Sequence, residues 1–166
     1  MRTEYEYPLP DGSPNRKVVR IDKSDGGKDI YQLSWNDQKF VPGNAHGEAT
    51  WFNAPLLESM SQDGIDCLCI GEGEKVAQRG NGIVGVGMVF TTMAGGANAK
   101  MTENMKGLLQ RWNPNRIRLY ADRDQAGDEW ANYMHTELTA MGMTVDGIWF
   151  PHPSVCLLYT SDAADE

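Results

Sequence analysis

From residue 65 onward, short apolar runs alternate with stretches of helical periodicity, and this alternation constrains the fold more than anything else in the chain. "IDCLCI", "MVFTTM", "RIRLYA" and "TVDGIWF" read as strands, and the segments between them read as helices or turns. A β-α-β-α-β-α-β order implies a mainly parallel sheet with helices on both faces, and function is then expected at the strand carboxyl ends. A helix over about 102–112 is capped by Thr102 and places Met105, Leu108, Leu109 and Trp112 at i, i+3, i+4 and i+7. The next runs from about Gln125 to Met141. It carries Ala126, Trp130, Tyr133, Met134, Leu138 and Met141 on one face, and Gly142 in the C-terminal stop position. A further helix begins near Glu74, and "RGNGIVGVG" leaves its end undefined.

Ahead of this pattern, "TEYEYPL", "RKVVRID" and "DIYQLSW" are strand-like pieces separated by "DG" and "SDGG", which predicts a small antiparallel meander. The expected division is therefore a β-rich segment over 1–42, a Pro/Gly/Asn/Ser-rich connection over 43–64 with "APLLESM" as a short helix, the α/β domain over 65–154, and a tail over 155–166. With 166 residues, 40% of them hydrophobic and 23% charged, the chain has the composition of an ordinary globular protein. Its formal charge of −8 excludes a uniformly basic nucleic-acid-gripping surface, so any polyanion site must be local or shared. No apolar run approaches the ~18 residues of a membrane span, and "MRTEYEYPLPDG" lacks the order of a signal peptide, so a cytoplasmic location is expected. Cys67, Cys69 and Cys156 fit neither a zinc ribbon nor a disulfide framework, and the alternation of Cys67 with Cys69 reads as core.

Two acidic signals fall at strand ends: Glu72 and Glu74 in "GEGEK", and Asp122 and Asp124 in "ADRDQAG". Carboxylates gathered from separate strands repel one another unless a pKa rises or a hard divalent cation with oxygen ligands intervenes. Magnesium, which takes one or two carboxylates and keeps waters and phosphate oxygens, fits such a set. The competing reading of "DRDQAG" is a solvated loop in which Asp124 caps the following helix.

Together "CIGEGEK", "FTTMAGGANA" and "RLYADRDQAG" resemble the Toprim domain shared by bacterial primases, phage and plasmid primase-helicases and topoisomerases. The family pattern is a strand ending in Glu-Gly and a later strand ending in Asp-x-Asp, matched here by Glu72-Gly73 and by Asp122 and Asp124. "EGEK", the Thr-Thr and Gly-Gly-Ala segment and the Ala-Gly after the aspartates look most like DNA primases of phages, plasmids and mobile elements. The likeness implies Mg2+ (or Mn2+) held by Glu72, Asp122 and Asp124, with Glu72 as general acid/base in nucleotidyl transfer. It implies RNA-primer synthesis on single-stranded DNA from nucleoside triphosphates, alongside a replicative helicase or helicase domain. Lys75, Lys100, Arg118 and Arg123 are candidates for contacts with nucleotide or DNA phosphates. The same domain also occurs in DNA nucleases of the overcoming-lysogenization type, and a non-catalytic nucleic-acid-binding module is a third reading.

The N-terminal meander resembles the strand-rich segment that precedes the Toprim domain in such primases. Neither a zinc ribbon nor a further acidic cluster accompanies it, so a truncated fragment is expected. "CLLYTSDAADE" resembles translated adapter sequence, and 155–166 is expected to be non-native or a disordered tail, which removes Asp162, Asp165 and Glu166 as ligands. Gly80, Gly82 and Gly85 spell G-x-G-x-x-G but follow a helix instead of opening one, and no P-loop motif occurs. Lys100, Lys106, Arg111, Arg116, Arg118 and Arg123 make a local basic surplus against Glu103 and Asp122, read either as an approach for phosphates or as a charged helix face.

Overall fold

The computed structural model describes residues 1–82, 85 and 87–150. In chain order it contains β1 (Arg2–Tyr7), β2 (Arg16–Asp22), β3 (Lys28–Trp35), β4 (Phe40–Pro42), α1 (Ala54–Ser61), β5 (Cys67–Gly71), α2 (Glu74–Asn81), β6 (Met88–Thr91), a 3-10 turn (Gly96–Asn98), α3 (Glu103–Trp112), β7 (Arg116–Tyr120), α4 (Gln125–Ala140) and β8 (Val145–Trp149). These form two compact units: Met1–Ile65 with Lys100–Asn113, and Asp66–Ala99 with the chain from Pro114 onward. The tail read over 155–166, with Cys156, lies outside the described residues, as does the end of the α/β domain read over 65–154.

The first unit is built on an antiparallel sheet of order β1-β2-β3-β4. Tyr5 stands opposite Val18, and Trp35 opposite Phe40 on a fourth strand that the turn-rich sequence after "DIYQLSW" does not announce. Tyr5 and Tyr7 meet Phe52 edge-on, at 6.3 and 5.5 Å between ring centroids. Trp51, Phe52, Ala54 and Leu57 are buried, so residues around α1 contribute core. Asn53 makes the entry into α1 at φ 61°, a left-handed conformation that asparagine tolerates. The amide of Asn15, buried, donates to Tyr7 and Glu48 carbonyls and accepts from the Glu48 N–H, stapling the loop at 48 to the meander. α3 belongs to this unit although it interrupts the sequence of the other. Thr102 caps it through the Met105 N–H at 3.3 Å, and Met105, Leu108, Leu109 and Trp112 are all buried as the spacing predicts. The Trp112 indole donates to Glu58 on α1 at 2.7 Å and the Trp51 indole to the Met105 carbonyl at 3.0 Å, which satisfies two ring N–H groups inside the core.

The second unit is a four-stranded parallel sheet of order β6-β5-β7-β8, as the alternation of strands and helices requires. Leu68, Ile70, Val89, Ile117 and Leu119 are fully buried along one face. The alternate positions share the other face: Cys67, Cys69, Phe90, Arg116, Arg118, Tyr120 and Trp149. The chain runs from β5 outward to β6 and returns past β5 to β7, so the direction of winding reverses between β5 and β7. Right-handed crossovers then set α2 and α4 on opposite faces. α2 lies on the face of Phe90, where Gly80 gives the ring room that any Cβ would fill. On α4 the buried stripe is Gly127, Trp130, Ala131, Met134 and Leu138. Ala126 is exposed, and Tyr133 and Met141 are half-buried, so the helix is rotated from the phase its large residues predict. The cause is Gly127, whose place on the inner side is fixed by a backbone contact described below.

Cys67 and Cys69 are both buried, with sulfurs 4.0 Å apart, and burial pushes the Cys69 thiol up to about 12, helped by the neighbouring Cys67. They are core residues, inert as nucleophiles. Gly80 sits inside α2 and Gly82 ends it, so the G-x-G-x-x-G spelling belongs to a helix terminus and not to a dinucleotide turn. Among the described residues no helix is long and apolar enough to cross a membrane.

Candidate active site at the carboxyl ends of the parallel strands

Adjacent parallel strands in register end level with one another, and here Gly71 of β5 pairs with Tyr120 of β7. The next residues are Glu72 and, one step later, Asp122. The Glu72 N–H donates to the Tyr120 carbonyl at 2.9 Å, and the Asp122 N–H donates back to Glu72 Oε2 at 2.9 Å. Ala121 N–H in turn donates to the Trp149 carbonyl at 3.0 Å, so the ends of β5, β7 and β8 are laced together. The site lies where the winding reverses, between the first two of these strands, which is where open α/β sheets bind ligands.

Gly127 holds the second carboxylate loop. A Cβ on it would overlap the Asp122 carbonyl oxygen and stand 2.9 and 3.0 Å from the Asp122 carbonyl carbon and nitrogen. The first turn of α4 therefore rests directly on the backbone of Asp122. Asp124 closes the arrangement by accepting the Gly127 N–H at 2.8 Å, as the N-cap of α4. The capping reading of Asp124 is thus realised. It occupies one carboxylate oxygen and leaves acceptor capacity on the group, since an ionised carboxylate has about four lone-pair sites.

Glu72 is half-buried, and Asp122 and Asp124 are exposed. All three offer hard oxygen donors, which suits a cation that takes few protein ligands and keeps its waters. Among the described residues, however, no group of three His, Cys, Asp or Glu side chains stands together as a metal cluster. The backbone brings Glu72 and Asp122 together, while Asp124 is turned into its helix cap. Lys75 lies exposed in the first turn of α2 beside Glu74, and Arg123 is exposed between the two aspartates. Lys100 is exposed and belongs to the first unit.

The basic surplus over 100–123 dissolves on folding. Lys106 pairs with Glu103 at 3.3 Å, Arg111 with Glu58 at 2.5 Å, Arg116 with Asp66 at 2.8 Å and Arg118 with Asp146 at 2.8 Å. Its members are also divided between the two units. The hydrogen bond to Asp146 holds the Arg118 guanidinium above its usual pKa, and that to Asp66 does the same for Arg116. Three of the four acids lie outside the basic stretch, 28 to 53 residues away in sequence, which is why spacing alone overstates the local charge.

One further feature escapes the strand reading. Tyr120 stacks on Trp149 at 5.7 Å between centroids and 20° between planes, and Phe90 meets Tyr120 at 5.0 Å. The only signal for this was the alternation of "RIRLY" set against "VDGIW", and that becomes informative once the register is known.

No family model matches the chain, and no curated protein matches it. Among solved structures, it is similar to a chain in the complex of bacteriophage T7 lagging-strand DNA polymerase with primase domains of two gp4 subunits bound to an RNA/DNA hybrid and dTTP. That match has a TM-score of 0.54 and 16% identity, and covers 95% of this chain and 71% of the other. At this identity the likeness is one of fold.

Proposed function

We propose that the chain is the Toprim-like core of a DNA primase, carrying out Mg2+-dependent nucleotidyl transfer that builds RNA primers on single-stranded DNA. The observation that carries this reading is the bond from the Asp122 N–H to Glu72 Oε2, which sets two acidic strand ends side by side at the point where the sheet's winding reverses. The fold likeness to a chain in a primase-containing complex supports it. Glu72, Asp122 and Asp124 would hold the magnesium, with manganese as a substitute. When bound, the cation supplies charge neutralisation at the triphosphate.

The chain's own groups have distinct parts in this scheme. Glu72, oriented by the Asp122 N–H, takes or returns the proton of the attacking hydroxyl. Asp122 presents its carboxylate from a backbone fixed on Gly127. Asp124 holds the helix start in place and offers its remaining oxygen lone pairs. Lys75 and Arg123 are placed by sequence next to the carboxylates and would meet phosphates, and Lys100 would do so if the first unit contributes to the path of the strand. Arg118 is committed to Asp146 and serves the sheet. Single-stranded template, nucleoside triphosphates and a replicative helicase are the partners of this reading, with the cytoplasm as its setting.

The test is a magnesium titration by calorimetry, paired with a primer-synthesis assay. Wild type should bind in the millimolar range or tighter, and Asp122→Asn/Asp124→Asn should not. The asparagines keep the cap, because Asn is as good an N-cap as Asp, so unfolding midpoints should stay within about 0.5 kcal/mol of wild type in stability. Glu72→Gln should lower primer synthesis by about 10²–10⁴-fold while magnesium binding weakens far less. Equal magnesium binding by wild type and the double variant would end the metal reading. Wild type that binds single strands and never extends them would instead identify a binding module.

A further inference from the structure

We propose that Trp149 is a stacking platform for a base of the single-stranded template, at the edge of the candidate active site. This deepens the primase reading and rests on it for the identity of the strand. Trp149 is 39% exposed at the carboxyl end of β8. Its carbonyl accepts the N–H of Ala121, so the ring is carried by the residue bonded next to the one that leads into Asp122. Its inner side is already stacked on Tyr120, nearly parallel, and the Arg118 guanidinium sits 5.0 Å from its ring centroid. The Arg118 guanidinium is itself paired with Asp146 at 2.8 Å.

The large flat ring is fixed by Tyr120, by the Arg118 guanidinium over it and by Gly147 beneath its far edge, with 39% of its surface still accessible. It presents a nucleobase with a rigid surface, because every base has a π-face and stacking tolerates any sequence. A protein partner requires a broad apolar patch. The other exposed large hydrophobic residues, Met1, Ile30, Tyr31 and Leu56, all belong to the first unit, so among the described residues Trp149 stands alone on the second. An isolated exposed ring beside an acidic phosphoryl-transfer candidate fits a base whose sugar-phosphate backbone continues along the strand ends.

The experiment measures fluorescence anisotropy of a fluorescein-labelled ten-nucleotide single strand against the full chain, in buffer with EDTA. Wild type should bind. Trp149→Ala should weaken binding about tenfold, within the range of a lost base-aromatic stack, and Trp149→Phe should recover most of it. Magnesium titrations of both variants should match wild type. Failure of wild type to bind, equal binding by Trp149→Ala, or equal loss in Ala and Phe variants of wild-type stability would each overturn the platform. If Asp122→Asn/Asp124→Asn binds magnesium like wild type while Trp149→Ala still releases the strand, the catalytic reading falls and the platform stands.

Discussion

On one face of the parallel sheet Leu68, Ile70, Ile117 and Leu119 are sealed from solvent, whereas the alternate positions on β7 and β8 hold Arg116, Arg118, Tyr120 and Trp149, all at least partly accessible. The closed face is held by burial alone. The open face is held by ion pairs and ring stacking, interactions that tolerate water. Strands in α/β sheets are usually apolar on both faces. On β7 and β8 the sheet departs from this on one face, next to the carboxylates.

The contrast can be broken or sharpened by substitution. Leu119→Ala on the closed face should cost about 3–4 kcal/mol in urea unfolding, through lost transfer energy and a residual cavity. Gly127→Ala should cost about 2–3 kcal/mol, because α4 must lift from the Asp122 backbone, and it should weaken magnesium binding in the same preparation. On the open face, Trp149→Ala should cost about 1 kcal/mol or less, the worth of an exposed stack. A large loss there, comparable with Leu119→Ala, would show that the open face is structural after all.

The two cysteines supply a finer comparison, since they share a face with Arg118 but lie buried. An unfolded thiol ionises near 9.0 and native Cys69 at about 12, so the native state holds its proton longer. Stability from this group is complete below pH 9 and is lost as pH rises toward 12. Thiol-reactive dye, located by peptide mapping, should label Cys67 and Cys69 negligibly in the native protein at pH 8 and should label both once urea unfolds the chain; rapid native labelling at either position would show that the region opens.

Much of the second unit was legible because parallel strands are apolar runs of about five residues and their order follows from the crossovers. The carboxylate positions were legible for the same reason, as strand ends need no side-chain detail. The rotation of α4 was not. Periodicity locates a face by its large residues, and here the inner line includes Gly127, whose smallness matters only once the Asp122 backbone is known to press against it. The membership of α3 in the first unit was equally hidden, since its apolar stripe states that it packs and not against what. β4 was missed as well, because three residues are too few for alternation to register.

The side chain of Asn81 carries a consequence of its own. Its amide accepts the Phe90 N–H at 2.7 Å and donates to the Phe90 carbonyl at 2.8 Å, imitating a neighbouring strand along one residue of β6. β6 is the outermost strand on that side, four residues long. Asn81 therefore works as a plug in the sheet's open rim, filling the two bonding positions that a foreign strand would seek first. Two copies of this unit are denied an easy way to zip together along β6 at Phe90.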